Sequence, residues 1–97
     1  MLVPRNKEYR AIKGQSMPFH YVYTLQSLSS PAQIYTGQTS NLGQRLRDHN
    51  AGKVPHTSKF RPWVIRTATA FRAKDRAISF ERYLKSGSGR AFLHRHL

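Results

Sequence analysis

The chain has 97 residues, 38% of them apolar and 11% aromatic, enough for one modest hydrophobic core and too few for a second domain. Lys and Arg number 17 against four acids, a formal charge of +13 with a pI near 11.2. That balance belongs to a protein that meets polyanions, nucleic acid first, with an anionic membrane surface or a merely basic, ribosome-associated protein as the other classes. The chain has no cysteine, which excludes disulfides, thiolate metal sites and cysteine nucleophiles.

Residues 1–17 are polar, basic and aperiodic and read as a flexible arm, with Arg5, Lys7, Arg10 and Lys13 against Glu8. The domain itself is expected over residues 18–97 and carries most of the positive charge. The sequence contains neither the apolar core of a signal peptide nor a run near the ~20 apolar residues of a membrane span, so a soluble cytoplasmic protein is the expectation.

Phe19, Tyr21, Tyr23 and Leu25 alternate with His20, Val22 and Thr24, the period of a β-strand over Phe19–Leu25. A turn cluster, Ser27-Leu28-Ser29-Ser30-Pro31, leads to a second strand over Gln33–Gln38. The tripeptides Tyr21-Val22-Tyr23 and Tyr35-Thr36-Gly37 then lie on the two arms of one antiparallel hairpin, with Tyr23 close to Tyr35. Gly37 inside a strand implies a bulge or the close approach of a ligand backbone.

Ser40 or Asn41 can cap a helix, with Gln44 completing a capping box, Leu42 and Leu46 forming an apolar seam and Ala51-Gly52 ending it. Arg45 and His49, at i,i+4 spacing, project from one face of that helix. Residues 52–62 read as a loop carrying Lys53, His56, Lys59 and Arg61. A third strand follows over Trp63–Phe71, with Trp63, Ile65, Thr67, Thr69 and Phe71 on one side. Lys74–Lys85 is helical by the spacing of Ala77, Phe80 and Leu84, with Ile78 nearby. Glu81 points along that apolar stripe. Ser86-Gly87-Ser88-Gly89 breaks the helix, and Ser88 or Gly89 starts a short last one holding Ala91, Phe92, Leu93 and Leu97.

A carboxylate turned toward a core needs a partner. For Glu81 two stand open: an ion pair with one of the arginines, or a single Mg²⁺ completed by water and substrate phosphate oxygens. Arg45 suits charge stabilisation on a phosphoryl group, against the plainer role of a solvated helix arginine. His49 suits proton transfer, against a surface histidine. Tyr23 as a general base needs its pKa lowered from about 10, against the plainer role of a core aromatic. Nucleophile elbow, Walker loop and zinc-protease motifs are all missing.

In the order Tyr23, Tyr35 to Gly37, Arg45, His49 and Glu81, the chain resembles the GIY-YIG endonuclease superfamily, in particular its small single-domain bacterial members. The resemblance covers Pro18 to Leu97, including Phe80-Glu81-Arg82-Tyr83-Leu84-Lys85-Ser86-Gly87-Ser88-Gly89-Arg90. It implies an α+β fold, a small three-stranded antiparallel sheet flanked by helices. The implied activity is that of a DNA endonuclease that hydrolyses the phosphodiester in one in-line step with Mg²⁺ or Mn²⁺, in structure-directed DNA processing or repair. Position by position, the resemblance makes Tyr23 the general base, Tyr35 a second tyrosine lining the site, Arg45 the catalytic arginine, His49 the histidine that assists Tyr23, and Glu81 the metal ligand. DNA contacts are expected from Gly37, Gln38, Lys53, His56, Lys59, Arg61, Lys85 and Arg90. The departures are Tyr21 and Thr36 within the tripeptides, Gln38 where some members carry lysine, and no asparagine after the glutamate helix. A non-catalytic nucleic-acid-binding module of the same fold is the alternative. DNA is the expected partner, with no membrane and no small-molecule substrate; DNA preference and oligomeric state stay open.

Overall fold

The computed structural model describes residues 19–97; the arm expected over residues 1–17 lies outside them. The strand-rich start forms a hairpin of β1 (His20–Ser27) and β2 (Ile34–Thr39), with Tyr23 opposite Gly37 and Leu25 opposite Tyr35. Strand β3 (Trp63–Phe71) pairs antiparallel on the other side of β1, giving the sheet order β2-β1-β3. The fold is α+β, and β1 is its centre. Val22, Tyr23, Thr24 and Leu25 are therefore all buried, because both faces of the central strand are covered.

One face carries helix α1 (Leu42–Asn50) and the one-turn helix α2 (Pro55–Ser58). There Tyr23, Leu25 and Trp63 form a core with Tyr35, Leu42, Leu46 and Phe60. The other face carries α3 (Lys74–Leu84) and α4 (Gly87–His96), and Val22 packs with Ala77, Leu84 and Leu93. Phe71, Phe80 and Phe92 close that second core.

Local chemistry explains most element ends. The Asn41 side chain accepts from the Gln44 backbone N–H at 3.0 Å, the N-cap bond the sequence predicts. The reciprocal half of the capping box does not form. Gln44 instead donates to Asp48 at 2.9 Å, and the Asn41 N–H is taken by the Thr39 hydroxyl at 3.1 Å. Gly52 ends α1 with φ at 79°, in the left-handed region that a side chain disfavours. Helix α2 was not foreseen within its loop; Pro55 at its first position presets φ for a turn.

The third strand corrects a sequence expectation. Thr24 pairs with Thr67 but Leu25 pairs with Ile65, so Arg66 is an extra residue in β3. One inserted residue reverses the facing of everything beyond it. Thr67, Thr69 and Phe71 stay with the α3 face, while Trp63 and Ile65 move to the α1 face beside Ser27 and Leu25. That exchange supplies Trp63 to the core around Tyr23.

Helix α4 starts earlier than expected, at Gly87, because Ser86 caps it by accepting from the Gly89 N–H at 3.1 Å. Gly89 is buried against the end of α3, where an added Cβ would overlap the Tyr83 carbonyl and the Leu84 Cα. Since both obstacles are backbone, Gly89→Ala is expected to lower stability by about 3 kcal/mol or more, the upper end of overpacking costs. Urea denaturation reads this directly, and an unchanged midpoint would show that α3 and α4 dock differently.

Candidate active site

Tyr23 stands in the middle of β1, and its ring crosses the neighbouring strand above Gly37. A Cβ at Gly37 would lie 2.6 Å from the Tyr23 hydroxyl oxygen and 2.9 Å from Tyr35 Cε2. Glycine is needed here to make room for two phenol rings. The expected bulge at Gly37 is absent, since its pairing with Tyr23 is regular and the irregularity of the sheet lies between β1 and β3.

The Tyr23 hydroxyl lies 2.8 Å from His49 Nε2, and Arg45 Nε donates to the same oxygen at a longer 3.4 Å. The helical pair foreseen in the sequence thus converges on Tyr23 across 26 and 22 residues. His49 is fully buried, which removes the surface alternative for it, and Arg45 is partly buried. Leu42 and Leu46 seat α1 on the sheet, and that packing turns the Arg45–His49 face toward Tyr23. The Tyr35 ring meets His49 edge-on, with centroids 4.9 Å apart.

Thr57, which no sequence signal marked, holds the other side of the imidazole. His49 Nδ1 lies 2.7 Å from Thr57 Oγ1, and the Thr57 hydroxyl donates to the Val54 carbonyl at 3.3 Å. A hydroxyl has one proton to give, so Thr57 accepts from Nδ1–H, and Nε2 is left bare to accept the Tyr23 proton. Thr57 is itself anchored by Trp63, whose indole N–H donates to its carbonyl at 2.8 Å. Asn50 in turn accepts from the Trp63 N–H at 2.7 Å and donates to its carbonyl at 3.0 Å. The bulge in β3 and the turn of α2 therefore both serve to fix the imidazole.

Burial pushes the Tyr23 pKa above its ordinary value, opposed by the hydrogen bond from Arg45 and assisted by Tyr35 and Glu81. The lowered pKa required of a free phenolate base is not what this environment gives. Burial, followed by the charge of Arg45, pushes His49 below the ordinary imidazole value. At neutral pH the pair is a protonated phenol facing a neutral imidazole. Arg45 is held more firmly charged, chiefly by its hydrogen bond to Tyr23.

Glu81 comes from the opposite layer, on α3, and is partly buried. It makes no direct contact with the tyrosine cluster among those described, yet its charge is felt at Tyr23. Its partner is Lys85, one turn on, with Nζ at 3.1 Å, where the sequence suggested an arginine. Among the described residues no three His, Cys, Asp or Glu side chains gather as a metal cage. Glu81 is thus a single carboxylate, where Mg²⁺ asks for only one or two protein oxygens and keeps most of its water. An exposed i,i+4 ion pair is worth about 0.3–0.5 kcal/mol, so Lys85 is easily displaced from it.

The expected DNA contacts divide into several groups. Gln38 lines a polar cleft with Arg45, and Lys85 and Arg90 line another between β2 and α4 with Tyr35 and Thr36. Lys53, His56, Lys59 and Arg61 are exposed around α2. Of these, Lys53 faces Asp48 at 4.0 Å and Arg61 donates to the Ser58 carbonyl at 2.8 Å. Gly37 is buried beneath Tyr23, so its glycine is already accounted for by packing. No helix of the described residues is long and apolar enough to cross a membrane.

Comparison with known proteins points to one family. The sequence profile described as the GIY-YIG catalytic domain matches residues 19–93. UPF0213 protein SH2523 of Staphylococcus haemolyticus is 36% identical over 73 residues, covering 74% of this chain and 87% of that protein. UPF0213 protein HQ_3675A of Haloquadratum walsbyi is 33% identical over 69 residues, 70% of this chain and 75% of that one. The structure-specific endonuclease subunit SLX1 of Yarrowia lipolytica is 37% identical over 78 residues, 73% of this chain. The match spans 27% of that subunit, and 21% of its counterpart in Debaryomyces hansenii. With a match that runs over residues 19–93, the chain belongs to the GIY-YIG catalytic domain family.

Proposed function

We propose that the protein is a DNA endonuclease that hydrolyses a phosphodiester by in-line attack of water, directed by DNA structure. The observation that carries this is the buried chain Tyr23–His49–Thr57 with Arg45 on the same phenol oxygen. A fully buried polar chain of this kind has no packing purpose that apolar residues would not serve better. The likeness to structure-specific endonuclease subunits supports a branched or otherwise structured DNA substrate.

In this mechanism the Tyr23 oxygen takes a proton from the attacking water while its own proton passes to His49 Nε2. The raised Tyr23 pKa then does no harm, because the phenol never has to exist as a free phenolate. Thr57 keeps Nδ1–H engaged, so the imidazole has one vacant lone pair and it faces Tyr23. Arg45 places its fixed positive charge beside the same oxygen, where negative charge grows on the phosphoryl group. Glu81, with water and phosphate oxygens, would hold Mg²⁺ or Mn²⁺, and such an ion supplies charge neutralisation and a more acidic bound water. A role in DNA repair and a cytoplasmic location fit this reading.

The non-catalytic alternative draws support from one contact, the Glu81–Lys85 ion pair, which satisfies the carboxylate without a metal. A nicking assay on plasmid and branched DNA separates the two. Wild type is expected to cut with Mg²⁺ and stop in EDTA, and Glu81→Ala is expected to bind DNA but not cut. Binding by both proteins with cleavage by neither would leave the binding module.

The acid limb of kcat/KM reports His49, whose neutral form is the competent acceptor. Its pKa is held below the usual ~6.5, so activity is present at that pH and is lost only as pH falls through the lowered value. A limb centred above about 6.5 would remove His49 from the proton path. Thr57→Val, which keeps shape and deletes the hydroxyl, is expected to lower kcat about 10–100-fold with little change in KM, and Thr57→Ser to restore most of it. Equal activity in the valine variant would show that the Nδ1 bond does not orient the ring.

A further inference from the structure

Beside the tyrosine cluster opens a cleft of about 380 Å³ lined by His20, Gln38, Thr39, Ser40, Arg45 and Lys74. It lies where the first residue of β1, the last residues of β2, the first residue of α3 and the middle of α1 come together. Every lining side chain is polar. Arg45 and Lys74 are cationic, and none of the six is acidic. Among the described residues Lys74 and His20 take part in no ion pair, whereas Lys53 and Lys85 each face a carboxylate.

A concave site that gathers cations without a counter-ion concentrates positive potential and favours an anion. The Ser40 hydroxyl and the Gln38 amide add neutral donors around it, while the Thr39 hydroxyl proton is already given to the Asn41 carbonyl at 3.3 Å. Guanidinium, ammonium and hydroxyl donors converging on one hollow are the complement of a phosphate's several acceptor oxygens. Arg45 is common to the cleft and the reaction centre, since its Nε reaches the Tyr23 hydroxyl. An anion in the cleft and a phosphate at Tyr23 are thus separated by one side chain. Successive phosphates of one nucleic-acid strand are neighbouring anions that one arginine can adjoin.

We infer that this cleft seats a second backbone phosphate, next to the scissile one, with Lys74 and His20 as its ligands. The inference rests on the nuclease reading for the meaning of "scissile" but not for the binding itself. Its consequence is register: a neighbouring phosphate held here fixes which phosphodiester lies over Tyr23, while the chemistry stays with the buried chain. Lys74 then provides a positive charge on the side of the site where Gln38 carries none.

The test is a binding cycle in EDTA, using branched DNA in which one phosphate at a time is replaced by a neutral methylphosphonate. On unmodified DNA, Lys74→Ala is expected to weaken binding about tenfold and to make the dependence of log K on log salt shallower by about 0.9. Lys74→Gln, which keeps the side-chain bulk, should behave alike, and His20→Ala should show a smaller loss. When the methylphosphonate sits at the phosphate in the cleft, the Lys74 effect is expected to vanish, and to persist at full size for every other position. An equal effect at all positions would reduce Lys74 to diffuse surface charge, and no effect at any would empty the cleft; either overturns the inference. Failure of wild type to cut DNA would count against the nuclease reading alone, because the cycle is read without cleavage.

Discussion

The hydrogen bond between Tyr23 and His49 joins two buried side chains, and most of the structure on that side of the sheet is arranged to permit it. Gly37 must lack a side chain for the phenol to lie across β2. The apolar seam of α1 must face the sheet for Arg45 and His49 to arrive together. Thr57 must be held by the turn of α2 and by the Trp63 indole, and Trp63 reaches that position because Arg66 is inserted into β3. Each of these is a separate local device, and they share one outcome.

A buried polar pair is stable only when every donor and acceptor is used, since one orphaned group costs about 1–3 kcal/mol. Here the chain is complete: Arg45 to Tyr23, Tyr23 to His49, His49 to Thr57, Thr57 to Val54. Among the described residues no buried side-chain nitrogen or oxygen lacks a partner. Core and candidate site are the same residues on this face, so substitutions at Tyr23 or His49 disturb folding and chemistry together. Thr57 is the better probe, because its hydroxyl can be removed with little change of volume.

The charges are arranged differently from the polar chain. Arg45, Lys74, Lys85 and Arg90 border clefts on either side of β2, the edge strand over which the Tyr23 phenol projects. Glu81 approaches from the α3 layer, the reverse of the one that holds His49. The candidate site is therefore assembled across a sheet edge, with the buried Tyr23–His49–Thr57 chain on one face and an ionic, partly exposed carboxylate on the other.

The sequence alone determined the strands, an α1 cap at Ser40 or Asn41, the pairing of Arg45 with His49 on one helix face and the apolar stripe of α3. These follow from alternation, from capping and from i,i+4 spacing, all of which act within about a turn of chain. Tertiary structure decided the rest. The bulge at Arg66 left no mark in the strand pattern, because an inserted residue reads as one more β residue until its partner strand is known. Thr57 meets His49 eight residues away across a turn, and no periodicity links a helix to the loop after it. His20 and Lys74 share a cleft only because the order β2-β1-β3 brings the start of one strand beside the helix that follows another. Whether Tyr23 is a core aromatic or a proton carrier could not be read from its spacing, since burial and hydrogen-bond partners are properties of the packed chain, and here the residue is both buried in the core and bonded to His49.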